Sequence, residues 1–252
     1  MVPNNDRGNW LNRTLSIFIM LSLLLLMHVI HDVRYNPANG TDKYCAATFS
    51  TSIEGQDANV KRNITIACQK LNGTVIPPNS VFSFNAVVGE GSAQNGFVPG
   101  RVLYRDRVAF EPGGGLCQVS STLFNALLMA GCVIIERHRH SQPVSYVPLG
   151  LDATIKYGKK DLRIRNPYQH PLKLETSAGD ATITMKVLTD RNMPFRYEIY
   201  TEEDEQTLPL ADDSERIRPG ISVFVYRKRY QGNKLVDNML LYKDYYQPVY
   251  EQ

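Results

Sequence analysis

Apolar residues recur at Val60, Ile64, Ala67 and Leu71 with polar residues between them, the spacing of one helix face. A helix is therefore expected over 59–72, closed by Gly73 as a C-terminal glycine closes a helix. A second helical pattern, Val119, Leu123 and Leu127 flanked by Phe124 and Leu128, follows three consecutive glycines and stops at Gly131. Short β-branched runs separated by turn residues predict strands at 45–50, 81–85, 133–137, 145–147, 153–157, 162–165, 172–176 and 181–188, with a strand or hairpin over 102–110. Runs at 222–230 and 235–242 flank Gln231-Gly232-Asn233 and predict a hairpin. The acidic stretch 202–205 and the polar residues up to Arg218 read as a divider, and 89–100 as a glycine-rich loop.

The N-terminal pattern is different. Residues 15–30 are apolar and carry no charge, and Arg7 and Arg13 precede them. That run is near the short end of what spans a bilayer, and its basic flank is expected to stay inside. No small-x-small cleavage site follows at His28, Val29, Ile30 and His31, so an uncleaved anchor is favoured over a signal peptide. The expected layout is a cytoplasmic 1–14, a transmembrane anchor at 15–31, a linker at 32–42, a main domain at 43–190 and a β-rich C-terminal extension at 191–252. The fold class expected is α+β, mixed, mainly antiparallel sheet with a few helices, preceded by one transmembrane helix. The localisation expected is the cell membrane, single-pass, with the domain on the extracellular face.

About 220 residues beyond the anchor suffice for one large domain. A net charge of +3 without a long basic block excludes a nucleic-acid footprint and leaves a wall polymer or small peptide as partner. The four cysteines, Cys45, Cys68, Cys117 and Cys132, are 23, 49 and 15 positions apart, which suggests no metal site and no cofactor. A Cys45–Cys68 bridge is open to an exported chain, but Cys68 sits on the apolar stripe, where a buried free thiol is the commoner case.

Chemistry concentrates at Cys117, between the glycines and the second helix. The unpaired N–H groups and positive dipole end of a helix N-terminus favour a thiolate. Gly113, Gly114 and Gly115 would let a carbonyl approach backbone donors as an oxyanion site. A cysteine nucleophile needs a base, and His138, His140 and His170 are the histidines beyond the anchor region. His140, before Ser141 and the turn at Pro143, is preferred; His138 would point the same way on a regular strand, and His170 reads as an exposed turn residue. Asp152, after Gly150, is the candidate to orient the imidazole, with Glu136 as competitor.

These residues carry a resemblance. The segments Gly113-Gly-Gly-Leu-Cys-Gln-Val-Ser120, Glu136-Arg137 with His140-Ser141, Pro148 through Gly150 to Thr154, and Leu71-Asn-Gly-Thr with Phe82-Ser-Phe-Asn85 look like the VanW domain family. The likeness covers roughly 43–188, and the tail is similar to the strand-rich extension of many members. It implies a cell-wall role in Gram-positive bacteria, linked to glycopeptide resistance, and a cysteine L,D-transpeptidase forming 3-3 cross-links between peptidoglycan stem peptides. By position it puts the nucleophile on Cys117 and the histidine of Arg-x-x-His-Ser on His140. Gln118, Ser120 and Ser141, in the same motifs, join the glycines as substrate-binding or oxyanion residues. The competing expectation is a non-catalytic peptidoglycan-binding or assembly factor.

Overall fold

Asp57, whose carboxylate accepts from Val60 N at 2.9 Å, starts helix α1 (Ala58–Leu71). The stripe Val60, Ile64, Ala67 and Leu71 is buried, and Asn63 and Cys68 are buried with it. Asn63 is accommodated because its amide donates to Val98 O and Gly114 O and accepts from Val98 N. This computed structural model describes residues 44–103, 108–206, 216–218 and 220–250. Besides α1 these hold helices α2 (Phe84–Val88) and α3 (Leu116–Met129). The strands in chain order are β1 (Tyr44–Ser52), β2 (Val75–Ile76), β3 (Val81–Ser83), β4 (Pro99–Leu103), β5 (Val108–Pro112), β6 (Val133–Glu136), β7 (Arg163–Arg165), β8 (Leu172–Ala178), β9 (Thr182–Thr189), β10 (Arg196–Gln206), β11 (Arg216–Arg218), β12 (Gly220–Gln231), β13 (Lys234–Tyr246) and β14 (Val249–Tyr250).

Helix α3 is the axis of the core. From Leu116 to Leu128 every residue but Cys117 is buried. A helix buried on all sides needs cover on all sides, and its buried polar residues need hydrogen-bond partners, as Gln118, Ser121, Thr122 and Asn125 have. It packs on β1 and β9 of the sheet ordered β1-β9-β8-β2, on α1, and on β10. A second sheet, β3-β7-β6, and the hairpin β4-β5 complete the region, and β10-β12-β13 forms a third sheet. A smaller apolar cluster, Val147, Leu151, Val223, Val225 and Tyr246, fastens the loop before Asp152 to that third sheet.

The expected fold class is corrected in one respect. The described residues are dominated by antiparallel sheet with three α-helices, and none of those helices is long and apolar enough to cross a membrane. The stretch 15–31, on which the transmembrane helix was placed, lies outside the described residues, as do 1–14 and 32–42. The cysteines of the described residues are all free thiols, Cys45 and Cys68 included.

Local differences have local causes. The strand expected over 81–85 ends at Ser83, whose hydroxyl accepts from Ala86 N and starts α2. Residues 153–157 form no ladder because their backbone is engaged elsewhere: Ala153 N donates to Ser121 Oγ and Thr154 N to His138 O. The run 145–147 is not a strand either. Conversely β10 continues through the acidic 202–205, since pairing with β12 supplies the ladder while Glu202, Glu203 and Asp204 face solvent.

The glycine run has a packing reason. A Cβ on Gly114 would stand 2.7 Å from Gly100 C and 2.8 Å from Arg101 O, both backbone atoms that cannot swing aside. Gly114→Ala is expected to lower stability by about 1–3 kcal/mol, the range for overpacking a close-packed site. Urea denaturation of wild type and variant checks this.

Candidate functional site

Cys117 is the second residue of α3, and Gly115 at the N-cap has φ +100°. The residue is half-buried, its sulfur facing the segment that follows Asp152. Sγ lies 3.4 Å from Thr154 Oγ1 and 3.7 Å from Ile155 O, and the His140 ring is near enough to act on it by hydrogen bonding and charge. The Cys117 N–H is among the first-turn donors that a helix leaves without an intrahelical acceptor.

His140 follows the end of β6 and is fixed twice by Asp152 Oδ2, which accepts from His140 N and contacts Nδ1, both at 2.6 Å. With Nδ1 held, Nε2 is the nitrogen left for the sulfur. Asp152 is 2 % exposed. Its other oxygen, Oδ1, accepts from Arg137 Nη2 and from Tyr246 OH, each at 2.9 Å. Arg137 also donates Nε to Asp152 O and Nη2 to Gly150 O, and pairs through Nη1 with Asp244 Oδ2 at 2.5 Å. The edge of the Tyr146 ring meets His140, centroids 6.5 Å apart at 81°.

The charges follow from these contacts. Burial alone would raise the Cys117 thiol, but the hydrogen bond and positive charge of His140, helped by Thr154 and Ile155 O, bring it below the usual thiol range. Burial disfavours the His140 imidazolium, yet Asp152 and Cys117 outweigh it and raise His140 to about 9. Asp152 is held below the ordinary carboxylate range despite burial, by His140 and Arg137. Cys68 and Cys132, buried without such partners, are pushed up to about 12. A cysteine at a helix start, a nearby imidazole and a buried carboxylate orienting that imidazole form a set suited to nucleophilic acyl chemistry.

Of the residues named from sequence, Cys117, His140 and Asp152 are brought together. Ser141 is exposed beside His140. Gln118 and Ser120 are not brought to the site. Gln118 is buried and donates to Thr51 Oγ1 and Ser52 O on β1, and Ser120 is fully buried in the core. Helical spacing explains this, because Cys117 and Ser121 share the face toward 152–155 while 118 and 120 turn inward. Gly113 and Gly115 adopt positive φ at the turn, and Gly114 O accepts from Asn63. His138 pairs with Glu136 at 3.0 Å instead of following His140, because β6 ends at Glu136 and the strand alternation stops there. His170 is half-buried and packs beside Tyr168. Sequence reasoning missed the roles of Thr154, Tyr146, Tyr246 and Asp244, and treated Arg137 only as part of a motif.

The sequence model of the VanW like protein family matches residues 59–188. The chain is similar to the uncharacterized protein YoaR of Bacillus subtilis, 35% identical over 139 residues, 54% of this chain and 46% of that one. It is also similar to the vancomycin B-type resistance protein VanW of Enterococcus faecalis, 30% identical over 142 residues, 54% of this chain and 52% of that one. The chain thus spans about half the length of the curated relatives it matches. No solved structure matches.

The pair predicts a pH profile for iodoacetamide. Cys117 should alkylate with a midpoint below the usual thiol value, whereas Cys68 and Cys132 stay unreactive until the fold opens. His140→Ala removes the cation that favours the thiolate, so the Cys117 midpoint should rise. Peptide mapping by mass spectrometry across about pH 5–10, which brackets neutrality and the usual thiol range, reads each cysteine separately.

Proposed function

The chain belongs to the VanW-like protein family, and from that membership, together with the site geometry, we propose that it is a cysteine acyltransferase acting on peptidoglycan stem peptides outside the cytoplasm. A relative whose name ties it to vancomycin resistance supports a cell-wall-related role. The observation that carries the chemistry is the placement of Cys117 at the start of α3, under the influence of a His140 ring whose Nδ1 is fixed by Asp152 Oδ2 at 2.6 Å.

The reaction proposed is L,D-transpeptidation. The Cys117 thiolate attacks the carbonyl between the third and fourth residues of a donor stem, and the carbonyl oxygen takes the negative charge beside the Cys117 N–H. Collapse of that intermediate breaks the peptide bond. The departing amine takes the proton of the His140 imidazolium and leaves as the free terminal residue, with the donor held as a thioester on Cys117. The side-chain amine of an acceptor stem then attacks the thioester and gives its proton to neutral His140. The thiolate leaves, and a 3-3 cross-link remains. Asp152 stays ionised throughout, keeping the ring oriented and the imidazolium favoured. Water in place of the acceptor amine gives a carboxypeptidase from the same intermediate.

Cys117→Ala is expected to lower cross-link formation on the order of a thousandfold or more, because the covalent route is gone and only binding and oxyanion contributions are left. His140→Ala should reduce it less. Muropeptide analysis of the products on a stem-peptide substrate, with circular dichroism to establish folding, reads both, and mass spectrometry of wild type should find the acyl adduct on Cys117. Unchanged product from folded Cys117→Ala protein would sink the enzymatic reading in favour of a wall-binding factor.

A further inference from the structure

Strand β13 lies beyond residues 59–188, the part the family match covers, yet it closes the site from behind. Alternation along a strand puts Tyr242, Asp244 and Tyr246 on one face, and all three reach the same neighbourhood. Asp244 Oδ2 takes Arg137 Nη1. Tyr246 OH donates to Asp152 Oδ1 at 2.9 Å and accepts from Gly150 N at 3.1 Å. Tyr242 OH donates to Gly150 O at 2.7 Å, and its ring stacks on the Arg137 guanidinium, 4.9 Å from centroid to carbon. Arg137 is 6 % exposed and Asp244 11 %, so water does not screen these contacts much.

We propose that Asp244 and Tyr246 are positioning residues for the Cys117–His140 pair, so that the reactive site of this chain is completed by its own C-terminal hairpin. The proposal rests on the reading of that pair as reactive. Neither residue touches the reacting atoms; each acts through Asp152, Asp244 by way of Arg137.

The argument is one of charge division. Arg137 is a single cation between two carboxylates. While Asp244 engages Nη1, only part of the guanidinium charge is spent on Asp152, whose Oδ2 keeps its strength as an acceptor for His140. The groups facing His140 and Asp152 are Cys117 from α3, Arg137 and Arg139 from the segment after β6, Tyr146 from the loop, and Tyr242, Asp244 and Tyr246 from β13. Neutralising Asp244 turns the whole Arg137 charge on Asp152, weakens its hold on the imidazolium and lowers the His140 midpoint. Removing the Tyr246 hydroxyl has the opposite sign: Asp152 loses a donor, becomes a stronger acceptor and raises that midpoint.

The experiment is an NMR titration of the full chain carrying 13C-labelled histidine, which reads His140 without reference to turnover. In wild type the His140 midpoint is expected at about 9. Asp244→Asn should bring it down by on the order of one pH unit, and Tyr246→Phe should move it up. Asp237→Asn, on the same hairpin but paired with Arg229 away from the site, should leave it where it is. A purely structural role would lower the melting temperature and leave the midpoints alone, so folded Asp244→Asn protein with a wild-type midpoint overturns the proposal for Asp244. Should that variant fail to fold, Tyr246→Phe decides, and an unmoved midpoint there overturns it for the hairpin as a whole. Loss of the catalytic reading through Cys117→Ala is a separate result, because the His140 midpoint does not depend on any product.

Discussion

A carboxylate removed from water must be neutralised and have its lone pairs filled, and Asp152 is the place where this chain meets that demand. Its four acceptor sites receive His140 N, the His140 ring, Arg137 and Tyr246. Those four donors come from the segment after β6 and from β13, while Asp152 itself follows the glycine turn at Gly150. Two neighbouring segments and a strand far along the chain are thereby tied to one pair of oxygen atoms. Losing one donor would leave a buried charge short of a partner, which costs far more than a surface ion pair is worth.

The other half of the site is set by apolar packing. Helix α3 is packed against β1, β9, α1 and β10, so its position is determined by the whole core. Between Leu116 and Leu128 only Cys117 is half-buried and not fully buried, standing at the end of the helix where the chain enters through glycines. Ser121, one turn on, accepts from Ala153 N, and Asn125, another turn on, donates to Leu151 O. These two side chains dock the Asp152 segment along the helix. The sulfur and the imidazole are therefore held by the same surface, one on the helix and the other on the strand end docked through 151–154.

Much of this was legible in the chain. The 3.6-residue stripes of α1 and α3 and the period-two runs of β8, β9 and β12 are visible because one face or the whole element is buried. Cys117, His140 and Asp152 could be named from residue type and local punctuation. The transmembrane reading of 15–31 has no counterpart in the described helices. What stayed hidden is long-range. Alternation groups Tyr242, Asp244 and Tyr246 on a face, but nothing local says that this face meets Arg137. Strand β10 was hidden by its acidic half, since a charged run reads as solvated loop unless the partner strand is known. Gln118 and Ser120 were drawn toward the site by adjacency to Cys117, although helical geometry turns them inward.

Magnitudes also decide what activates the sulfur. Burial takes Cys68 and Cys132 from 9.0 to about 12, which disfavours their thiolates by about 4 kcal/mol. A helix N-terminus returns about 0.3–1 kcal/mol to a nearby anion, and about 2 kcal/mol in a favourable, partly buried geometry. The start of α3 alone could not overcome burial on that scale, so the helix end that draws attention to Cys117 in the sequence is the lesser influence. His140 supplies the difference by direct hydrogen bond and charge. An imidazole does so only while protonated, and an ordinary histidine is mostly neutral at pH 7. Asp152 is what keeps this one charged, so the state of the sulfur depends on a carboxylate that acts on it through the imidazole, and through that carboxylate on Arg137 and the C-terminal hairpin.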